Sequence, residues 1–209
     1  YTLILCNTED ESSRQSVYLK VLGERRIDGL IVISTGDDEA LVSQLRGLPM
    51  PTVLLDREID DPGCDLVETA HMDGGQLAVR HLLTLGHRRI ALLTGRAALL
   101  PSSERVAGYR QAHAEANLDI DPELIRAQTQ GSSTAFSDVC QLLRAPNRPT
   151  AIITLGTHML AGVLDALSGS GLRYPDDVSL VCIGDTDLAR HATPGISALT
   201  WDLDQMGRL

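Results

Sequence analysis

The sequence predicts an α/β chain in which parallel sheets are flanked by helices and divided between two lobes. Three observations predict it. Short apolar runs of strand length alternate with segments of helical period almost throughout, the signature of strand–helix units that pack helices onto a parallel sheet. The alternation stops over residues 57–66, REIDDPGCDL, where Asp61-Pro62-Gly63 supplies turn signals, and then resumes as a second series. With 209 residues, 43% hydrophobic and 22% charged, the chain can bury a sizeable core as one large or two small domains.

In the first series, YTLILC reads as a strand leading into a polar-rich helix around ESSRQSVYLKVLGERR, followed by the strand DGLIVIS and the helical DDEALVSQLRGL. The Pro49-Met50-Pro51 break ends that helix and introduces the strand TVLLD. About three strands is few for a sheet that normally has four to six. The first lobe therefore reads as incomplete, with further segments expected beyond both ends of the sequence.

The second series begins with LVETA as a short strand and GGQLAVRHLLTLG as a helix, with Gly86 placed to adopt the left-handed conformation that ends it. It continues through the strand RRIALLTG, a helix from Ser102 to about Asn117, the strand LIRAQT, the helix SSTAFSDVCQLLRA and the strand PTAIIT. The helix THMLAGVLDALSGSG and the strand VSLVCIG follow, and ALTWDLDQMGRL reads as an extended piece entering a helix. Crossings between lobes are expected near residues 68–72 and 196–201. These divide the chain into an N-terminal lobe over 1–68, a C-terminal lobe over 69–196 and a returning crossover over 197–209.

Composition excludes several functions. The formal charge of -10 has the wrong sign for a surface that itself neutralises a phosphate backbone. No apolar run approaches the roughly 18 residues of a membrane span, and YTLILCNTEDE lacks the pattern of a signal peptide, so a cytoplasmic protein is expected. Cys6, Cys64, Cys140 and Cys182 are too far apart for a CxxC pair and read as buried, reduced thiols. His81, His87, His158 and His191 have no evident metal partners, and Asp60 with Asp61 reads as a solvated turn. GxSxG, HExxH and GxxxxGK[ST] are absent, and Gly169-Ser170-Gly171 lacks the remaining glycine of a dinucleotide fingerprint. Neither an enzyme, a metal site nor a cofactor is expected.

Ligands of open parallel sheets bind beyond the carboxyl ends of the strands. The residues that follow the apolar runs are Asn7, Ser34, Asp56, Thr94, Gln128, Gly156 with Thr157, and Asp185. Each alone reads as a turn or cap rather than a contact; as a set they border a possible cleft. Arg105, in SSERVAGY, falls on the same edge. If its helix opens at Ser102 or Ser103, a cation in the first turn opposes the helix dipole at a cost of about 0.3–1 kcal/mol. It is either a tolerated surface residue or one that faces a bound group. Trp201, at the second crossing, is either core packing or a stacking surface beside the cleft.

DGLIVI, TVLLDRE, DGGQLAVRHLLTLGHRRIALLTG, ERVAGY, RPTAIIT, YPDDVSLVCIGD and ATPGISALT occur in the order and spacing of one known family. In these motifs the chain resembles the lactose-repressor/galactose-repressor (LacI/GalR) family of bacterial transcription regulators over nearly its whole length. The resemblance implies an effector-binding core with a two-lobed, periplasmic-binding-protein-like fold. It also implies a first strand and helix before Tyr1, and operator DNA bound through a helix-turn-helix headpiece that this sequence does not contain. The expected partners are a small polar effector, a sugar by family, and a second copy of the chain in a homodimer.

Matched residue by residue, Arg105 in ERVAGY corresponds to an effector-contacting arginine and Asp56 in LLDRE to a cleft carboxylate. Asp185 corresponds to the second of two successive acids, the first being replaced by Gly184. The family's Asn-Asp after PTAIIT is here Gly156-Thr157. Ligand-binding candidates are therefore Asp56, Arg105, Thr157, Asp185 and Trp201. A periplasmic sugar-binding protein of a transport system shares the fold and stands as the alternative.

Overall fold

The computed structural model describes residues 2–9, 11–35, 38–56 and 63–208. Asp60, Asp61 and the Asp61-Pro62 part of the expected turn lie outside them. The chain divides into two compact units, one formed by residues 1–69 with 204–209, the other by residues 70–203.

In the smaller unit three parallel strands, β1 (Leu30–Val32), β2 (Thr52–Leu55) and β3 (Asp65–Val67), stand in sequence order. Helices α1 (Ser12–Gly23) and α2 (Asp38–Leu45) supply Leu19, Leu41 and Leu45 to a small core closed by Val32 and Leu54. Successive side chains of a strand point to opposite faces. Val32 is accordingly 6% exposed, while Ile31 and Ile33 are 71% and 66% exposed. Two sequence expectations change here. YTLILC joins no ladder among the described residues: the three strands hydrogen-bond to one another without it, and Leu3 and Leu5 remain 89% exposed. LVETA, expected to open the second series as a strand, instead gives Leu66 and Val67 to the end of β3, which pairs with β2, and residues 68–70 lie beyond the strand.

The larger unit is a five-stranded parallel sheet in the order β5-β4-β6-β7-β8. Its strands are β4 (Ile90–Thr94), β5 (Ile125–Ala127), β6 (Ala151–Leu155), β7 (Ser179–Ile183) and β8 (Ser197–Leu199). Both faces are covered, so its central strands read as continuous apolar runs rather than alternating ones. Ile90, Leu92, Ile153, Val181 and Ile183 pack with Ala78, Val79 and Leu82 of α3 (His71–Thr84) and with Tyr109 and Ala112 of α4 (Leu100–Glu115). On the opposite face, Ala91, Leu93, Ile152, Leu180 and Cys182 pack with Ala135 and Val139 of α5 (Gly131–Arg144) and with Leu160 and Val163 of α6 (Gly156–Gly169). Short helices α7 (Asp187–His191) and α8 (Leu203–Met206) complete the elements. Gly86, after α3, has φ +91°, the left-handed conformation its position predicted.

The contact between α3 and α4 positions the site. A Cβ on Gly108 would overlap the Met72 carbonyl, and one on Gly75 would stand 2.7 Å from the Arg105 carbonyl oxygen. The two backbones touch at these glycines. At the far end of the pair, Glu115 accepts from Gln76 Nε2 at 2.9 Å and from Arg80 Nη2 at 2.6 Å. Tyr109, fully buried, donates to the Ile90 carbonyl at 2.7 Å and fixes α4 to β4.

Candidate functional site

The helix carrying Arg105 starts two residues earlier than the sequence suggested, at Leu100, with Pro101 inside its first turn. Proline suits that turn because its missing N–H would have no intrahelical partner. Arg105 is thereby moved out of the first turn, and the opposition to the dipole that singled it out is relieved. What distinguishes it is its partner. Nη2 of Arg105 donates to Nδ1 of His71, the first residue of α3, at 3.0 Å. The close approach at Gly75 and Gly108 makes this possible, since the two side chains leave helices whose backbones touch.

His71 is 5% exposed and meets Trp201 edge-on, with ring centroids 6.1 Å apart and planes at 81°. Trp201 follows β8 and packs partly buried against the α3/α4 face of the sheet. Its ring also borders Gly184, whose absent Cβ would lie 3.8 Å from the indole and 3.8 Å from the Gly156 amide nitrogen. Gly156, Gly184 and Trp201 follow β6, β7 and β8, so they mark the carboxyl edge of the parallel sheet. The larger unit thus brings Arg105, His71, Trp201, Gly184 and Gly156 into one neighbourhood.

Both glycines have positive φ, +54° at Gly156 and +105° at Gly184, a region other residues adopt at a cost. A Cβ on Gly156 would meet nothing within 4 Å, so this residue leaves open space where a side chain could stand. Beneath them Cys182 is fully buried, and its thiol donates to the Gly184 carbonyl at 3.3 Å. Burial pushes this thiol's pKa up to about 11, which keeps it protonated and donating. The other three cysteines are also free but only partly buried, short of the full burial expected.

The remaining candidates are placed less centrally. Thr157 is exposed in the first turn of α6, which has no side-chain N-cap bond. Asp185, after Gly184, is exposed and forms an ion pair with Arg190 at 3.3 Å. Asp56 belongs to the smaller unit. There it follows β2 with φ +53°, and its Oδ1 accepts from the amide of Thr69 at 2.8 Å and from the Thr69 hydroxyl. Asp tolerates this left-handed conformation better than most residues.

Sequence reasoning missed His71. It lies at no strand end and in no catalytic spacing; its one local signal is its place just after the expected crossing. Among the described residues, no group of three or more His, Cys, Asp or Glu side chains could hold a metal ion. Among them, too, no helix is long and apolar enough to cross a membrane. The neighbourhood offers a cationic fork of donors, an aromatic edge and main-chain groups exposed by glycine, a set suited to hydrogen-bonding a small polar molecule.

Comparison with known proteins gives this edge a context. Residues 79–209 match the family described as periplasmic binding protein-like domain. The HTH-type transcriptional repressor PurR of Aliivibrio fischeri (strain MJ11) is 33% identical over 211 residues, covering 100% of this chain and 63% of the repressor. The ribose operon repressor of Escherichia coli (strain K12) is 33% identical over 210 residues, covering 100% of this chain and 64% of that protein. The chain thus spans less than two thirds of the length of these curated relatives. A crystal structure of a LacI family transcriptional regulator from Enterococcus faecium with bound ribose superposes with a TM-score of 0.82 at 26% identity. That match covers 98% of this chain and 74% of the regulator.

Proposed function

This chain belongs to the periplasmic binding protein-like domain family, as a LacI/GalR-type effector-binding core, and from that premise we propose that it is the effector-sensing part of a bacterial transcription regulator. Its ligand is a small polar molecule of the sugar class. Arg105, Thr157, Asp185 and Trp201 are the proposed contacts, at the carboxyl edge of the larger unit's sheet. The observation that carries this reading is the convergence of Arg105, Trp201, Gly184 and the open Gly156 there. The ribose bound to the Enterococcus faecium regulator supports the sugar class.

The chain acts by binding rather than by catalysis, in keeping with relatives that are named as repressors. Its proposed setting is the cytoplasm, where operator DNA is reached through a helix-turn-helix headpiece outside this sequence. A homodimer with two-fold symmetry would match a palindromic operator. An effector can shift the regulator between DNA-binding and released states only by its difference in affinity for the two.

A thermal-shift screen of sugars, nucleosides and sugar phosphates tests the reading, with ribose as the first probe. A ligand at about 100 times its Kd stabilises by about 2.7 kcal/mol, or roughly 5–11 °C for a chain of this size. Arg105→Ala is expected to leave the ligand-free melting temperature close to that of the wild type and abolish the shift. An unchanged shift removes Arg105 from the site; no shift with any sugar in the wild type overturns the ligand class.

A further inference from the structure

We propose that the larger unit carries a second small-molecule site, at the amino edge of its sheet, for a neutral molecule with an apolar body and an N–H or O–H donor. The proposal is independent of the effector reading, because this edge lies at the opposite ends of the strands from Gly156, Gly184 and Trp201. There a cavity of about 250 Å³ opens between the residues that enter β4, the second half of α4 and the segment leading from α4 to β5. One water occupies about 30 Å³ of liquid, so the space has room for a small organic molecule.

His113 of α4 carries the inference. It lines the cavity although it is 1% exposed. Its Nδ1 stands 2.9 Å from the Tyr109 carbonyl oxygen. A carbonyl only accepts, so Nδ1 holds the proton and the neutral imidazole presents a lone pair at Nε2. Among the described residues this Nε2 has no hydrogen-bond partner. Buried polar groups of folded proteins almost always have one. The ring is held where it is by the Nδ1 bond and by Tyr109, whose ring centroid lies 4.2 Å away with the planes tilted by 33°. A fixed acceptor therefore borders a space that a donor could enter.

The rest of the lining selects the donor's carrier. Beside the imidazole stand the buried Tyr109 and Leu124 and the partly buried Ile120, which suit an apolar body. The Tyr109 hydroxyl is already committed to the Ile90 carbonyl. The charged groups of the lining balance, with the guanidinium groups of Arg88 and Arg89 set against the carboxylates of Asp119 and Asp121. Arg89 donates to Asp121 at 2.8 Å and to the Asn147 carbonyl at 2.7 Å, while Nη1 of Arg88 donates to the Leu83 and His87 carbonyls. Balanced charge gives an ion of either sign no net attraction, so a neutral ligand is favoured.

Indole and indene test the proposal, because the two share a bicyclic shape and only indole has an N–H. In the ¹⁵N-histidine-labelled protein, indole is expected to bind and to move the His113 Nε2 resonance. Indene is expected to bind at least about tenfold more weakly, since it leaves the buried acceptor unsatisfied. Equal affinities overturn the proposal, as does a cavity that holds water only, in which neither compound binds or moves the resonance. Two variants locate the site. In His113→Phe, which keeps a ring and removes the acceptor, indole affinity is expected to fall to that of indene. Ile120→Trp fills part of the cavity while leaving His113 and its bond to Tyr109 in place, and is expected to weaken both compounds. Circular dichroism checks that each variant is folded, and undiminished indole binding in either folded variant overturns the proposal. If neither folds, the wild-type resonance and the indole–indene comparison decide it.

Discussion

Replacing Gly108 by Ala adds one methyl group at the place where α4 touches α3. The added Cβ would overlap the Met72 carbonyl and stand 2.8 Å from the Gln76 amide nitrogen. Both neighbours are backbone atoms of a packed helix, so no side chain can rotate away and the helices must separate. Overpacking typically costs about 1–3 kcal/mol, and the absence of an easy relaxation places this substitution in the upper part of that range, about 2–3 kcal/mol. At roughly 2–4 °C per kcal/mol for a chain of this length, the larger unit should melt about 4–12 °C lower. Differential scanning calorimetry measures this, with Gly169→Ala as the control. A Cβ at Gly169, in the last position of α6, meets nothing within 4 Å. This control should be neutral or slightly stabilising, because alanine favours helix over glycine. Since Arg105 lies one helical turn before Gly108, the same variant should also lose ribose affinity. A melting temperature for Gly108→Ala equal to that of the wild type would refute the backbone contact from which the Arg105–His71 pair is derived.

Two further outcomes follow from the side-chain environments. Cys182, with its pKa raised by burial to about 11, should carry a thiolate fraction at about pH 8 on the order of a hundredfold below that of an ordinary thiol. Thiol titration of the native protein should leave one slow cysteine that Cys182→Ser removes; a fast Cys182 would mean that the floor beneath Gly156 and Gly184 is open. The Asp121 carboxyl is held below its usual pKa by the Arg89 guanidinium at 2.8 Å and by the Glu123 amide. A depressed carboxylate pKa contributes stability that is present above the unfolded value, near 3.9, and is lost as pH falls through the folded value. Asp121→Asn should therefore flatten the stability curve below about pH 4 and leave its shape near neutrality unchanged, as urea unfolding at a series of pH values would show.

Local chemistry made much of the larger unit readable. The IALL of RRIALLTG and the LVCI of VSLVCIG are apolar throughout because a parallel sheet covered on both faces hides these side chains, and the helical stripe of GGQLAVRHLL ends at a glycine that takes the left-handed conformation. The smaller unit was less legible. YTLILC has the composition of a strand, but a ladder also needs a partner at hydrogen-bonding distance, and composition does not supply one. LVETA has strand composition as well, and only the observed register with β2 shows which sheet it joins.

The sequence by itself determined the strand–helix alternation, the family resemblance and the identity of the arginine in ERVAGY as a residue to question. Periodicity, turn chemistry and ordered motifs are properties of neighbouring residues along the chain. What only the tertiary structure decided is the company Arg105 keeps: an imidazole 34 residues earlier, with an indole and two glycines brought beside it from other strand ends. The physical reason is that the contact depends on how closely two helix backbones approach, and Gly75 and Gly108 set that distance through side chains they do not have.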